Sequence, residues 1–327
     1  MVAASAGGVE ALRGLLRELP PDLPAAVLVV LHMPPQGSSV LANILDRAGP
    51  LKAAPAEDKE RVRPGRVYVA RPDFHLLLSD GRTRLSRGPQ HNGHRPAADP
   101  LFMSAALDAG SRATGVVLSG TLDDGAKGCE AISRHGGAVA VQDLQECAFP
   151  GMPSAAVAAV PGAPALRVRE LAGWIVRRSR APVGTEGQAY DSEMRREIDQ
   201  FLREEPSLGV PDGELIAFSC PQCDGPIYEQ KGATTSRYLC KVGHAWSRES
   251  MMSAQSDAVE RALWVAMQRL EERLGVLERM HRAAEDRGQQ LSMRYFSEEA
   301  ERTREALNTI RMLQSGIGRN GDTLLRG

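Results

Sequence analysis

At 327 residues the chain has room for one full α/β domain and a smaller companion. Forty basic residues against 41 acidic ones leave a net charge of −1, so no general field draws the protein to nucleic acid or to an anionic membrane. No apolar run approaches the roughly 18 residues of a membrane span, and no secretory leader is read at the start. Five cysteines, three of them late in the chain, point to metal ligation in a reducing compartment, so a cytoplasmic protein is expected.

Residues 1 to about 180 alternate short apolar runs with helical periodicity. VAA opens the chain as a scrap of strand, and Val9, Leu12, Leu16 and Leu19 then recur at helical spacing. AAVLVVL (25–31) is apolar throughout, as expected of a strand buried on both faces of a parallel sheet. SSVLANILDRA reads as helix and VYVA (67–70) as strand. HLLLSDGRTRLS carries Asp80-Gly81 between two apolar stretches, a hairpin signal. DPLFMSAALDAG is helical, TGVVLSG (114–120) a strand, DDGAKGCEAISRHG a turn into a helix, and GAVAVQD (137–143) a further strand. The expectation is a doubly wound, mostly parallel sheet with a small β hairpin insertion.

After WIVRRSR the composition shifts. Residues 181–213 mix Pro, Gly and charge, which reads as a linker with at most one helical turn around EMRREIDQFLR. A cysteine-bearing module is expected over 214–250 and a helical hairpin over 251–315, with a flexible tail over 316–327. The hairpin's first seam is Leu263, Met267, Leu270, Leu274, Leu277 and His281, and its second runs from Ala300 through Leu307 to Leu313. A cut near Arg180 is therefore expected to leave an independent catalytic unit.

The late cysteines carry the sharpest spacing. Cys220 and Cys223 form C-x2-C, and Cys240 and His244 form C-x3-H sixteen residues later. Two thiolates on one tight turn and a thiolate and imidazole on another make a closed Cys3His site, so a structural zinc in a zinc-ribbon-like module is expected and none is needed for catalysis. Cys129 and Cys147 read as unpaired packing residues.

Three strand ends carry reactive residue types: Ser5 after the first strand, His32 in VVLHMPP after the second, and Asp123-Asp124 in LSGTLDDGAKG. Ligands of open α/β sheets bind outside the carboxyl ends of the strands, and a serine, a histidine and an acid there are the set a hydrolase needs. A-x-S-x-G at 3–7 approximates a nucleophile elbow. On spacing alone an ordinary Ser-Gly turn, a core histidine and an Asp-Gly cap are the commoner readings. A phosphate loop is the weaker alternative, because neither G-x-G-x-x-G nor G-K-[ST] is present.

In order, VAASAGGVEAL, LVVLHMPP, GRVYVARPDFHLLL, GPQHNGHRPAADPLF, GVVLSGTLDDGAKG and AVQDLQECAFPGMPSAA resemble the catalytic domain of the CheB-type chemotaxis methylesterases. The resemblance covers residues 1 to about 175. It implies a serine hydrolase that removes methyl esters from glutamyl side chains of chemoreceptors, and in some members deamidates glutamines. It implies Ser5 as nucleophile, His32 as base and Asp124, which directly precedes the glycine of D-G-A-x-G, as orienting acid. Ala6, Thr121 and Arg95 are the expected oxyanion or substrate contacts, with Thr121 where the family has Met in T-G-M-G. His94-Arg95 is expected at the rim of the substrate cleft and His75 in loop packing. The expected partners are methylated receptor helices, and the C-terminal seam offers a face for another helix or a second copy of the chain. The rival reading is a signalling adaptor whose hydrolase-like domain binds such a helix without cleaving it.

Overall fold

The computed structural model describes residues 1–35, 40–182, 192–202, 210–231 and 236–321. The chain divides into two compact units, Met1–Met251 and Met252–Gly327.

The first unit is built on a seven-stranded, wholly parallel sheet. Its strands are β1 (Val2–Ala4), β2 (Val27–Leu31), β3 (Lys52–Pro55), β4 (Arg66–Val69), β7 (Thr114–Val117), β8 (Ala138–Gln142) and β9 (Ala165–Leu166), in the order β3-β4-β2-β1-β7-β8-β9. β5 (His75–Ser79) and β6 (Arg82–Ser86) form a separate antiparallel hairpin turned at Asp80-Gly81. Edge strands β3 and β9 are absent from the sequence reading. They are short, and β3 is largely exposed, so neither carries the apolar run that marks a buried strand.

Strand alternation sorts the core. Val2, Ala4, Val27, Val29, Leu31 and Val116 face one side, where α1 (Gly8–Glu18), α2 (Leu41–Asp46) and α6 (Val168–Arg180) cover them. Ala3, Leu28, Val30, Tyr68 and Val117 face the other, under α3 (Ala98–Ala109), α4 (Ala126–Arg134) and α5 (Gly151–Ala159). β1 is only three residues long, yet every one is buried between its neighbours β2 and β7. From β1 the chain proceeds to β2 on one side, while the later strand β7 lies on the other. This is a topological switch point, and a crevice is left at the carboxyl ends of the strands there.

Part of the stretch expected as a linker is helical. Residues 183–191 and 203–209 lie outside those described, but α7 (Ser192–Leu202) is three turns long. Its Met194, Ile198 and Phe201 are buried in the same core as α3 and the β5–β6 hairpin. The ring of Phe201 meets His75 edge-on, with centroids 5.1 Å apart. The many charges of DSEMRREIDQFLR hid a face with the i, i+4, i+7 spacing of a buried helix.

Four antiparallel strands follow, β10 (Glu214–Ser219), β11 (Pro226–Lys231), β12 (Ser236–Cys240) and β13 (Ala245–Trp246), and they belong to the first compact unit. The second unit is two long helices. α8 (Arg248–Glu285), whose first residues lie in the first unit, ends before Gly288 (φ 65), and α9 (Gln290–Gly321) runs past the expected boundary at 315. Residues 322–327 of the expected tail lie outside the described residues. Met267 and Leu277 of α8 and Ala300 and Leu307 of α9 are buried, and Arg273–Glu299 and Arg311–Glu271 ion pairs join the helices. No helix of the described residues is long and apolar enough to cross a membrane.

Phe201 separates the two readings of the 181–213 stretch. Phe201→Ala is expected to cost about 3–5 kcal/mol, the usual loss for a buried aromatic, read from urea unfolding. A change within about 0.5 kcal/mol, as at an exposed site, would return the stretch to linker.

Candidate active site

Ser5 follows β1 directly, and its amide donates to Ser119 O at 2.9 Å, which ties the turn to the end of β7. The two glycines after Ser5 answer to space. Gly7 lies at φ 73, and a Cβ on it would come within 2.8 Å of Ala148 Cβ and Ser119 Oγ; one on Gly8 would sit 2.5 Å from Ala4 Cβ. Only a chain without side chains at these positions turns sharply enough to start α1 there. Ser119 closes the turn from below: its hydroxyl donates to Ala6 O at 2.8 Å and accepts from the Phe149 amide at 3.0 Å. The Gln142 carbonyl in turn accepts from the Ser119 amide at 2.9 Å.

His32, at the end of β2, lies between the other two residues. Its Nδ1 is 3.1 Å from Ser5 Oγ and its Nε2 is 2.6 Å from Asp124 Oδ2. A carboxylate only accepts, so the proton belongs on Nε2 and the Nδ1 lone pair faces the serine hydroxyl. The His94 ring stacks on His32 with centroids 3.8 Å apart and an interplanar angle of 14°. Burial, and then the neighbouring His32, push His94 down to about 4, so it lies neutral over the His32 ring.

Asp124 is almost wholly buried and surrounded by donors. Besides His32, its Oδ2 accepts from the Ala98 amide at 2.6 Å, and its Oδ1 accepts from the Asp99 amide and the Asn92 side-chain amide, both at 3.3 Å. Burial alone would raise its pKa; hydrogen bonds and charge from His32 and His91 outweigh burial and hold it well below the ordinary carboxylate range.

The structure thus brings Ser5, His32 and Asp124 into one hydrogen-bonded chain across β1, β2 and β7. Ala6 and Thr121 lie in the turns beside them, and among the described residues no partner accepts from either backbone amide. Arg95, expected beside the substrate, lies in the loop before α3. Its guanidinium donates to Asp73 Oδ1 and to the carbonyls of Arg87 and Gly88, which braces the loop. His75 packs the same loop, bonded to Pro89 O at 2.9 Å, and burial pushes it down to about 3.

Sequence reasoning passed over Asn92 and Asp99 and gave His91 no role. No spacing marks them, because their partners lie on other segments of the chain. A cavity of about 740 Å3 opens at the amino ends of the strands near Leu23, Val62 and Arg178, away from Ser5.

Cys220, Cys223, Cys240 and His244 come together on two tight turns, closed by Cys220 N–H to Gly225 O at 2.8 Å and Gly243 N–H to Cys240 O at 2.9 Å. Cys223 and Cys240 Sγ are 3.7 Å apart, and His244 Nδ1 lies 3.6 and 3.5 Å from the sulfurs of Cys220 and Cys240. Bonds of about 2.3 Å to sulfur and 2.0–2.1 Å to nitrogen around a tetrahedral zinc imply edges of about 3.8 and 3.6 Å. The four side chains fit that ion.

Residues 1–175 match the family model described as CheB methylesterase. The protein-glutamate methylesterase/protein-glutamine glutaminase of Thiobacillus denitrificans is 43% identical over 162 residues, covering 48% of this chain and 45% of that one. Its namesake from Yersinia pestis is 41% identical over 161 residues, 48% of this chain and 46% of that one. The chain thus spans less than half the length of these curated relatives. The crystal structure of the Thermotoga maritima CheB methylesterase catalytic domain superposes with a TM-score of 0.52 at 33% identity, covering 54% of this chain and 95% of that one.

Asp123, next to the buried acid, differs from it electrostatically. Burial, reinforced by Asp99, Glu249 and Asp124 and opposed by a hydrogen bond from Ser247, pushes its carboxyl up to about 7. Between about pH 4 and 7 the folded protein therefore holds a proton that the unfolded chain has released, and this group's contribution to stability falls as pH rises through that window. Asp123→Asn is expected to gain stability over the parent from pH 4 to 7 and to level off above 7. Urea midpoints measured across that range check it; parallel curves for the two proteins would refute it.

Proposed function

The chain belongs to the CheB methylesterase family, and on that premise we propose that its α/β domain is a serine esterase acting on methylated glutamyl side chains of chemoreceptors. The hydrogen-bonded chain from Ser5 Oγ through His32 to Asp124 carries this reading. Ser5 passes its proton to His32 Nδ1 as its oxygen attacks the ester carbonyl. The Ala6 and Thr121 amides stabilise the oxyanion, a contribution of about 10²–10³ in rate per donor. His32 returns the proton to the departing methoxide, giving methanol and an acyl-Ser5 ester. Water, giving its proton to His32, then attacks the acyl carbonyl; His32 passes that proton to the departing Ser5 Oγ, which frees the glutamate and restores the serine. With a glutamine side chain the same sequence expels ammonia, which accords with the double name of the curated relatives. Asp124 holds the imidazole with its proton on Nε2 and stabilises the positive ring formed in each step.

Zinc at Cys220, Cys223, Cys240 and His244 is structural in this proposal, because the protein fills all four positions and the site lies outside the proton path. When bound it supplies folding energy to a sheet with little core of its own. A cytoplasmic setting agrees with five unpaired cysteines.

Methanol release from methylated receptor tests the esterase. Ser5→Ala and His32→Ala are expected to lose about 10⁶ in turnover, and Asp124→Asn less, since it misorients the base without removing it. A Ser5→Ala protein working at the parent rate would defeat the reading.

The metal has its own test. Elemental analysis of protein prepared without chelator is expected to find close to one zinc per chain, and Cys220→Ser to lose the ion and melt earlier. A parent prepared without chelator that carries no metal and melts at the same temperature as Cys220→Ser would exclude it.

A further inference from the structure

The Cys-bearing sheet reaches the active site through its last strand. Ala245 of β13 accepts from the Asn92 amide at 2.8 Å and donates to Gln90 O at 3.4 Å, so this edge adds a short strand-like bridge to the loop beside Asp124. Trp246 packs over Gly93, and Arg237 of β12 donates to His91 Nε2 and pairs with Glu197 of α7. Ser247, directly after the sheet, donates through its hydroxyl to Asp123 Oδ1 at 2.8 Å.

Asn92 is the centre of this junction. Its carbonyl oxygen accepts from the Ser247 amide and the Ser250 hydroxyl, both at 3.0 Å. A backbone N–H can only donate, so the oxygen must face that side and the NH2 must face the other. There Nδ2 donates to Asp124 Oδ1 and to Asp99 Oδ2, each at 3.3 Å. Both lone pairs and both protons of the side chain are used. The NH2 also stands between two buried carboxylates that would otherwise face each other, one of them the partner of His32.

We propose that the Cys-bearing sheet is a working part of the active site, in which Asn92 is a positioning residue held by Ser247 and Ser250 and acting on His32 through Asp124. The inference rests on the esterase reading. Without the Asn92 amide, Asp124 loses a donor and gains an opposing charge, and its carboxylate turns or takes up a proton. Either way the His32 ring is left with a poorer partner on Nε2. Ser250 acts one step further out, by fixing which way the amide points.

Asn92 occupies a left-handed conformation, φ 51, so Asn92→Gly removes the amide group while keeping the backbone and its bond to Ala245 accessible. The full-length parent, Asn92→Gly and Ser250→Ala would be titrated with a fluorophosphonate serine probe. Hydrolysis of p-nitrophenyl acetate would then be expressed per titrated site, so that loss of folded protein drops out. Asn92→Gly is expected to lose on the order of tenfold in kcat, below the roughly 10²-fold that a misplacement of about 1 Å can cost. KM should change little. Ser250→Ala should lose about threefold, the scale of one neutral hydrogen bond. Unchanged kcat per site in both variants, with the parent labelled at Ser5, would overturn this inference and leave the esterase standing. A parent that takes up no probe would overturn both.

Discussion

A buried carboxylate must be surrounded by donors, and the first unit is arranged around the supply of them to Asp124. They come from His32 at the end of β2, from the first amides of α3, and from Asn92 in the loop between the hairpin and α3. Each donor fixes the end of a different element at one point. Several amide and imidazole dipoles hold the charge there where water cannot, and the low pKa that results keeps the acid ionised against the histidine. A carboxylate without these partners would take up a proton in the same surroundings, as Asp123 nearly does one residue away.

The Ser5 side of the site is governed by closeness of backbones. Gly7, Gly8 and Gly120 lie where a Cβ would strike Ser119, Ala4 or the sulfur of Met152, so the Ser5 turn, the end of β7 and the start of α5 are drawn together with no side chains between them. Ser119 makes polar use of that closeness, joining Ala6 and Phe149 through one hydroxyl. Small residues admit the approach, and the hydrogen bonds then set the spacing.

α7 and the Cys-bearing sheet belong to the same unit as the site. α7 completes the core beneath the hairpin and delivers Glu197 to Lys127 and Arg237, whose positive charges draw its carboxyl down to about 2 despite burial. The Cys-bearing sheet has little interior of its own, and its ordered edge lies on the 89–94 loop. The sheet thus meets that loop along its edge, an arrangement the composition of 181–213 does not express.

By itself the sequence determined what depends on local pattern. Continuous apolar runs such as VLVVL mark strands buried on both faces, C-x2-C and C-x3-H bring four ligands within reach of one ion, and Ser5, His32 and Asp124 each stand just past a strand. These are properties of a few neighbouring residues, and periodicity or spacing expresses them directly. The burial of α7, the engagement of Arg237 with His91 and the clamp on Asn92 were decided only by the tertiary structure. Each pairs residues from distant segments, 146 positions apart for His91 and Arg237 and 155 for Asn92 and Ser247. A charged helix with three apolar residues, or an asparagine in a loop, is ordinary in sequence. Its meaning comes from whichever surface the fold sets opposite, and in a single chain that surface leaves no trace near the residue it completes.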